Sequence, residues 1–161
     1  MQPNVLWRQT NRVCDLLTIA HQFGHVMHYN LSMDSQPFYR FMPINIVKET
    51  FGFFWEALGL AYLCAIADEQ TQDMLQRSYS LRSYHQWEEA LRLKKEQKAK
   101  PALFYPLARQ LGEKLALQVL QQTLSKNDVM SLMQRGKNLS TEELIVVTNS
   151  VKYLKTTPYY V

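Results

Sequence analysis

Glycine, cysteine and long apolar runs are scarce in this 161-residue chain, and each scarcity excludes a class of protein. Five glycines are too few for a collagen-like repeat, and two cysteines cannot build the disulfide framework of a small secreted scaffold. No stretch approaches the roughly 20 apolar residues of a membrane helix, because Glu49, Glu56 and Asp68 bracket the most apolar region. The first residues, Met-Gln-Pro-Asn, lack the pattern of a secretory signal peptide.

What the chain does contain is typical of one folded domain. Its residues are 47% hydrophobic and 20% charged, and the chain is long enough to bury a sizeable core. Cys14 and Cys64 lie in apolar helical patterns, as buried thiols do. We therefore expect a reducing compartment, the cytoplasm, and no membrane association.

The net charge of +4 comes largely from one segment, Arg92–Lys100, which reads RLKKEQKAK. Such a run is either the solvated end of a helix, where cations are favoured near the negative end of the dipole, or a surface for nucleic acid. No recognisable nucleic-acid-reading motif accompanies it. We favour the helix end and do not expect a nucleic-acid partner.

Apolar residues recur at steps of three and four almost throughout, which predicts an all-α fold in a single domain over 1–161. The predicted helices span about 12–31, 44–67, 68–100 (with a break near 78–83), 103–124, 127–134 and 140–154. Turn-forming residues at 32–37 separate the first two helices, and Gly136 is placed to end the fifth. Ser140 and Glu143 form the capping-box pattern that opens the last helix.

The first helix carries the candidate chemistry. His21, His25 and His28 are spaced four and three residues apart, so they share one helical face. Two imidazoles four residues apart can reach one tetrahedral metal ion. The spacing alone is a weak signal, because packed or solvated histidines on a helix give the same pattern.

The wider segment DLLTIAHQFGHVMH resembles the active-site helix of the oligoendopeptidase F and thimet oligopeptidase family of zinc metallopeptidases, whose motif is HEFGHxxH. The segment SQPFY, residues 35–39, is similar to the loop after that helix. The resemblance implies a helical catalytic core with His21 and His25 as zinc ligands. It also implies that Glu49, 28 positions after His21, is the third ligand, and that Glu56 is the second glutamate of the family pattern.

Elementary chemistry supports this ligand set. Two imidazoles and a carboxylate leave a fourth position open on a zinc ion. Glu56 lies two helical turns after Glu49 and can accept a hydrogen bond from a ligand imidazole, and His28 is a second supporting candidate. Gly24 and Gly52 interrupt apolar helical patterns at a cost of about 1 kcal/mol each, which predicts close approach of two backbones. The competing interpretation of Glu49 is a solvated carboxylate beside Lys48.

Two positions depart from the family pattern. Gln22 stands where the resemblance requires the glutamate that takes a proton from the zinc-bound water, and an amide cannot accept that proton. The family also places a histidine and tyrosines on a late helix to stabilise the tetrahedral intermediate. The corresponding stretch, Lys98–Pro106, has no histidine, and Tyr105 is its nearest hydrogen-bond donor.

These departures favour a catalytically impaired, metallopeptidase-like protein. It would act on a peptide or protein partner as a binding or assembly module, as a homo- or hetero-oligomer, or as a subunit of a larger complex. Because the family's enzymes are much longer, we expect the apolar residues Phe53, Phe54 and Trp55 to need cover from such a partner. The alternative is a zinc-dependent oligopeptidase whose general base was changed to Gln22, naturally or by engineering.

Overall fold

The computed structural model of the chain describes residues 13–148, and all regular structure in this range is helical. Six α-helices follow one another: α1 (Val13–Ser35), α2 (Asn45–Ile66), α3 (Glu69–Lys95), α4 (Tyr105–Leu120), α5 (Lys126–Met133) and α6 (Thr141–Thr148). Short 3-10 turns at Pro101–Phe104 and Gly136–Asn138 precede α4 and α6. The described range contains no strand, and the all-α prediction is confirmed.

The helices α1 and α2 pack closely because glycines lie between them. A Cβ atom on Gly24 would lie 2.7 Å from the Phe51 carbonyl oxygen and 3.1 Å from the Gly52 Cα. Further along the same interface, a Cβ on Gly59 would lie 2.9 Å from the Ala20 Cβ. The predicted close approach at Gly24 and Gly52 is confirmed, and it brings the histidine-bearing face of α1 against α2.

The helix α4 packs against another part of α2 in the same way. A Cβ on Gly112 would lie 2.5 Å from the Thr50 carbonyl oxygen, so only glycine fits there without a shift of the backbone. The main hydrophobic core unites residues of α2, α4, α5 and α6 with Leu139, which precedes α6: Val47, Phe51, Phe54, Leu111, Leu115, Ala116, Val129, Met133, Leu139 and Leu144. The helix α2 is therefore the central element that holds α1 and α4 in place.

The structure corrects the expected surface of α2. Phe53 and Phe54 are buried within the chain, and Trp55 is partly buried between Phe23 and Phe54. The expectation that these side chains need cover from a partner is therefore wrong for Phe53 and Phe54, and Trp55 keeps part of its surface exposed. Although α2 is the most apolar helix, none of the described helices combines the length and apolar character needed to cross a membrane.

The helix α3 is continuous through 78–83, so the expected break is absent. It begins at the cap Asp68, whose side chain accepts a hydrogen bond from the Thr71 amide at 2.8 Å, and it ends at Lys95 rather than Lys100. Arg92, Lys94 and Lys95 occupy its last turn, where the helix dipole favours cations. Apart from buried Leu93, residues 92–100 are exposed, so the basic run forms the exposed end of α3 and the segment after it.

Other helix boundaries differ from prediction by a few residues. The helix α1 continues to Ser35 because Ser32 is buried and its Oγ donates to the Met133 carbonyl at 2.6 Å instead of turning the chain. Gly136 has φ of +51° and opens a 3-10 turn against the Arg40 backbone rather than capping α5. The predicted helical residues after Thr148, and the side chain of Cys14, lie outside the described part of the chain. Cys64 is only partly buried.

Candidate metal centre

The helices α1 and α2 bring together the three side chains expected to bind a metal. The Nε2 atom of His21 lies 3.2 Å from Oε2 of Glu49, and the Nε2 atom of His25 lies 3.6 Å from the same oxygen. One ligand atom from each residue lies within 4.8 Å of the others. His21 and Glu49 are buried and His25 is nearly so, and together this group can hold a metal ion.

Gly52 makes room for both imidazoles. His21 and His25 project from successive turns of α1 towards α2. A Cβ at position 52 would lie 2.6 Å from His21 Nε2 and 2.9 Å from His25 Cε1. The missing side chain therefore lets both rings lie directly on the α2 backbone, one turn from Glu49.

The spacing of the donor atoms suits a tetrahedral ion. With zinc–ligand bonds of about 2.0–2.1 Å, the edges of a tetrahedral site are about 3.3 Å, close to the two distances that Glu49 Oε2 makes. The other oxygen of Glu49 accepts from Lys48 Nζ at 3.1 Å. Lys48 thus leaves Oε2 to face the histidines. The residues fit a two-histidine, one-carboxylate zinc site with an open position.

The two imidazoles differ in protonation. Burial disfavours the charge on His21, but its hydrogen bonds to Glu49 and Glu56 outweigh that cost and raise its pKa. Burial, together with the neighbouring His21, lowers the pKa of His25 to about 4. Without metal, the two carboxylates therefore favour the protonated form of His21, whereas His25 is neutral at neutral pH. A metal ion would replace the proton on His21 Nε2.

Glu56 supports His21 from the opposite side of the ring. Its Oε2 lies 3.0 Å from His21 Nδ1, as the sequence predicted, and its Oε1 accepts from Arg109 Nη2 at 3.1 Å. Burial raises the pKa of Glu56, but the hydrogen bond from His21 and the charges of Arg109 and Arg82 outweigh it and lower the pKa. Glu56 is thus an ionised acceptor that fixes the Nδ1–H tautomer of His21.

The remaining predicted residues occupy different surroundings. Gln22 is partly buried on α1, next to His21 in sequence. The ring of Tyr105 lies 5.9 Å from that of Phe53, and burial with the nearby Glu49 charge raises its pKa. His28 is fully buried, but its ring rests on Phe51 at 4.6 Å and neither of its nitrogens has a hydrogen-bond partner in the described chain. The structure does not join His28 to the ligand set by a hydrogen bond.

Sequence reasoning placed Lys48 beside Glu49 but missed the two arginines around the site. Lys48, Arg82 and Arg109 contact the carboxylates of Glu49 and Glu56. Arg109 is the most buried of the three, and the available signal was its place in α4 between the apolar positions 108 and 111. A charged residue beside a core face indicates a buried partner, but the sequence does not say which one.

Comparisons with protein-family models, with curated proteins and with solved structures found no match to this chain. The resemblance to the oligoendopeptidase F family therefore depends on the residues between Asp15 and Glu56 alone. The geometry of the cluster stands independently of that resemblance, because it follows from the contacts of His21, His25 and Glu49.

Proposed function

We propose that this protein is a zinc-binding, metallopeptidase-like module that has lost peptidase activity. The observation that carries the proposal is the convergence of His21, His25 and Glu49 on one point, with Glu56 behind His21. Zinc is the ion of choice because two imidazoles and one carboxylate form its usual open sites. A bound zinc ion would supply Lewis acidity at the open position.

Loss of hydrolysis follows from Gln22. The amide can donate to or accept from a water molecule, but it cannot take up a proton and return it to a leaving amine. Losing a general base costs about 10²- to 10⁴-fold in rate. Outside α1 the described residues include one histidine, His85, which is exposed on α3 and lies 3.2 Å from Glu88.

The proposed role is a binding or assembly module for a peptide or protein partner in a reducing compartment such as the cytoplasm. Exposed apolar side chains support the partner. Leu16, Ile19 and Phe23 recur at helical spacing on α1 and are 40–49% exposed, and Tyr62 and Ile66 on α2 are about two-thirds exposed. An apolar surface of this kind is typical of interaction sites.

The first test is metal content. Protein purified without chelator or histidine tag should contain about one zinc per chain by elemental analysis, as expected for one three-ligand site. The matched variant Glu49→Gln, nearly the same in shape, should retain the fold and lose the metal. Absence of zinc from the parent protein after zinc addition would contradict the proposal, as would retention of zinc by Glu49→Gln.

The alternative is a zinc-dependent oligopeptidase that lacks only its general base. The complete ligand set and the position of Tyr105 near the Glu49 charge favour it. It predicts that Gln22→Glu restores zinc-dependent cleavage of an unstructured peptide. The double variant Gln22→Glu with Glu49→Gln is the control. Cleavage no faster than in this control would reject the peptidase and leave the binding module.

A further inference from the structure

The charged side chain of Arg109 is buried and contacts several polar groups. Its side chain is 4% exposed, and Nη2 donates to Glu56 Oε1 at 3.1 Å. Its Nε donates to Gln86 Oε1 at 2.8 Å, and Nη1 lies 3.5 Å from Glu113 Oε1. The Glu113 oxygen is itself held by the Tyr79 hydroxyl at 2.7 Å. Each of the three guanidinium nitrogens therefore has a carboxylate or amide oxygen as its partner.

Aromatic rings fix the plane of the same group. Its Cζ lies 4.4 Å from the centroid of the Phe53 ring and 4.7 Å from that of Tyr79. The Phe53 ring in turn meets the His21 ring edge-on at 4.7 Å. Arg109 thus reaches His21 by two routes, through the carboxylate of Glu56 and through the ring of Phe53.

The two ligand histidines differ in this respect. His21 Nδ1 has Glu56, but the buried Nδ1 of His25 has no hydrogen-bond partner in the described chain. The orientation of His21 therefore depends on the path from Arg109 through Glu56, whereas the ligand Glu49 is held by Lys48. We propose that Arg109 is a positioning residue for the metal centre, which holds Glu56 so that it orients His21. This inference rests on the proposed function insofar as His21 binds metal.

Arg82 provides an internal comparison. Its Nε lies 3.6 Å from the same Glu56 oxygen, but its Nη1 donates to Thr18 and its side chain is 26% exposed. Arg82 therefore supplies charge near Glu56 without a close, aligned hydrogen bond. If only charge matters, the two arginines should be interchangeable. If position matters, Arg109 should dominate, and lysine should not replace it because an ammonium lacks the planar fork.

The test combines zinc affinity with a measurement on the metal-free protein. Zinc affinity is measured by competition with a chromophoric chelator. The second measurement is the His21 Nδ1 proton, observed by NMR with nitrogen-15-labelled histidine. We expect a slowly exchanging Nδ1 proton in the parent protein. Arg109→Lys should lose this slow exchange and bind zinc about 10- to 100-fold more weakly, the usual range for such supporting groups. The matched variant Arg82→Lys keeps the charge near Glu56 and should retain both properties.

Three results would overturn the inference. They are a fast-exchanging Nδ1 proton in the parent protein, an Arg109→Lys variant that keeps the parent's proton and zinc affinity, and equal losses in Arg109→Lys and Arg82→Lys. The parent measurement requires no variant to fold. If the parent binds no zinc, the proposed function fails. The Nδ1 proton of the metal-free protein then still decides whether Arg109 orients His21.

Discussion

At the scale of single residues, Gly52 is the position where the smallest change should disturb the metal centre most. An alanine methyl there would lie 2.6 Å from His21 Nε2 and must push the ligand ring aside. We expect Gly52→Ala to weaken zinc binding by at least about tenfold, as for other changes in the surroundings of a ligand imidazole. Competition with a chromophoric chelator measures the effect.

Gly59→Ala is the matched control for that substitution. It adds the same methyl to the same helix and the same interface, but the methyl would meet Ala20 rather than a ligand. Both substitutions gain about 1 kcal/mol of helix propensity, so a shared change in stability cancels in the comparison. Equal zinc affinities of the two variants would contradict the role given to Gly52.

His28 is a second residue whose effect on the free energy of unfolding can be tested. Its imidazole is fully buried and neither nitrogen has a partner in the described chain. Removing an unpaired buried polar group is worth about 1–3 kcal/mol. We therefore expect His28→Leu to stabilise the protein by about that amount in urea unfolding at neutral pH. His85→Leu, at an exposed position, should change stability little. Destabilisation by His28→Leu would contradict this prediction, because it would show that the His28 imidazole makes contacts that stabilise the fold.

The same residue predicts a pH dependence. Burial, with a smaller contribution from His25, lowers the pKa of His28 from 6.5 to about 3. Below pH 6.5 the unfolded chain takes up a proton that the folded chain refuses, so stability falls as pH falls towards 3. The slope is about 1.4 kcal/mol per pH unit for each such proton. The parent should lose more stability than His28→Leu between about pH 6.5 and pH 4, and parallel curves would contradict the assignment.

At the scale of secondary structure elements, the start of α6 is determined by residues at its own first turn. Ser140 Oγ accepts from the Glu143 amide at 3.2 Å, and Glu143 Oε2 accepts from the Ser140 amide at 3.0 Å. Ser140→Ala should therefore cost about 0.5–2 kcal/mol in urea unfolding. The exposed Ser131→Ala within α5 is the control, and it should stay within about 0.5 kcal/mol of the parent. Equal losses would remove the cap as the cause.

That cap was predictable because both partners lie within one helical turn. The end of α1 was not predictable, because the helical conformation at Ser32 depends on its hydrogen bond to the Met133 carbonyl, 101 residues away in sequence. Turn-forming residues favour a loop only when no distant group takes their hydrogen bonds. Local periodicity thus predicted which segments are helical. It predicted where a helix begins or ends only when the capping residues lie within the same helical turn.

At the scale of the whole molecule, the ligand set and its support differ in how they could be predicted. His21 and His25 follow from spacing on one helix, and Glu49 from a family pattern. The pair formed by Glu56 and Arg109 joins α2 to α4 across 53 residues, and no periodicity specifies which carboxylate a distant arginine meets. The buried network was therefore visible only after the helices were packed.

Because the ligands lie on both α1 and α2, zinc should stabilise the whole fold rather than one helix. At 100 times its dissociation constant, a ligand specific for the folded state adds about 2.7 kcal/mol. We expect zinc to raise the melting temperature of the parent, chelator to reverse the rise, and Glu49→Gln to show neither effect. An equal rise in Glu49→Gln would indicate binding elsewhere.

The size of this stabilisation should depend on pH in a fixed direction. Glu49 and Glu56 raise the pKa of His21, so in the metal-free protein its charged contacts contribute fully below pH 6.5 and are lost as pH rises through the raised pKa. Zinc must displace that His21 proton, so its affinity grows over the same rise in pH. The increase in melting temperature caused by zinc should therefore be larger at about pH 8 than at about pH 6. A pH-independent increase would mean that zinc does not bind at His21, because His21 is the ligand whose pKa is raised and whose proton zinc must displace.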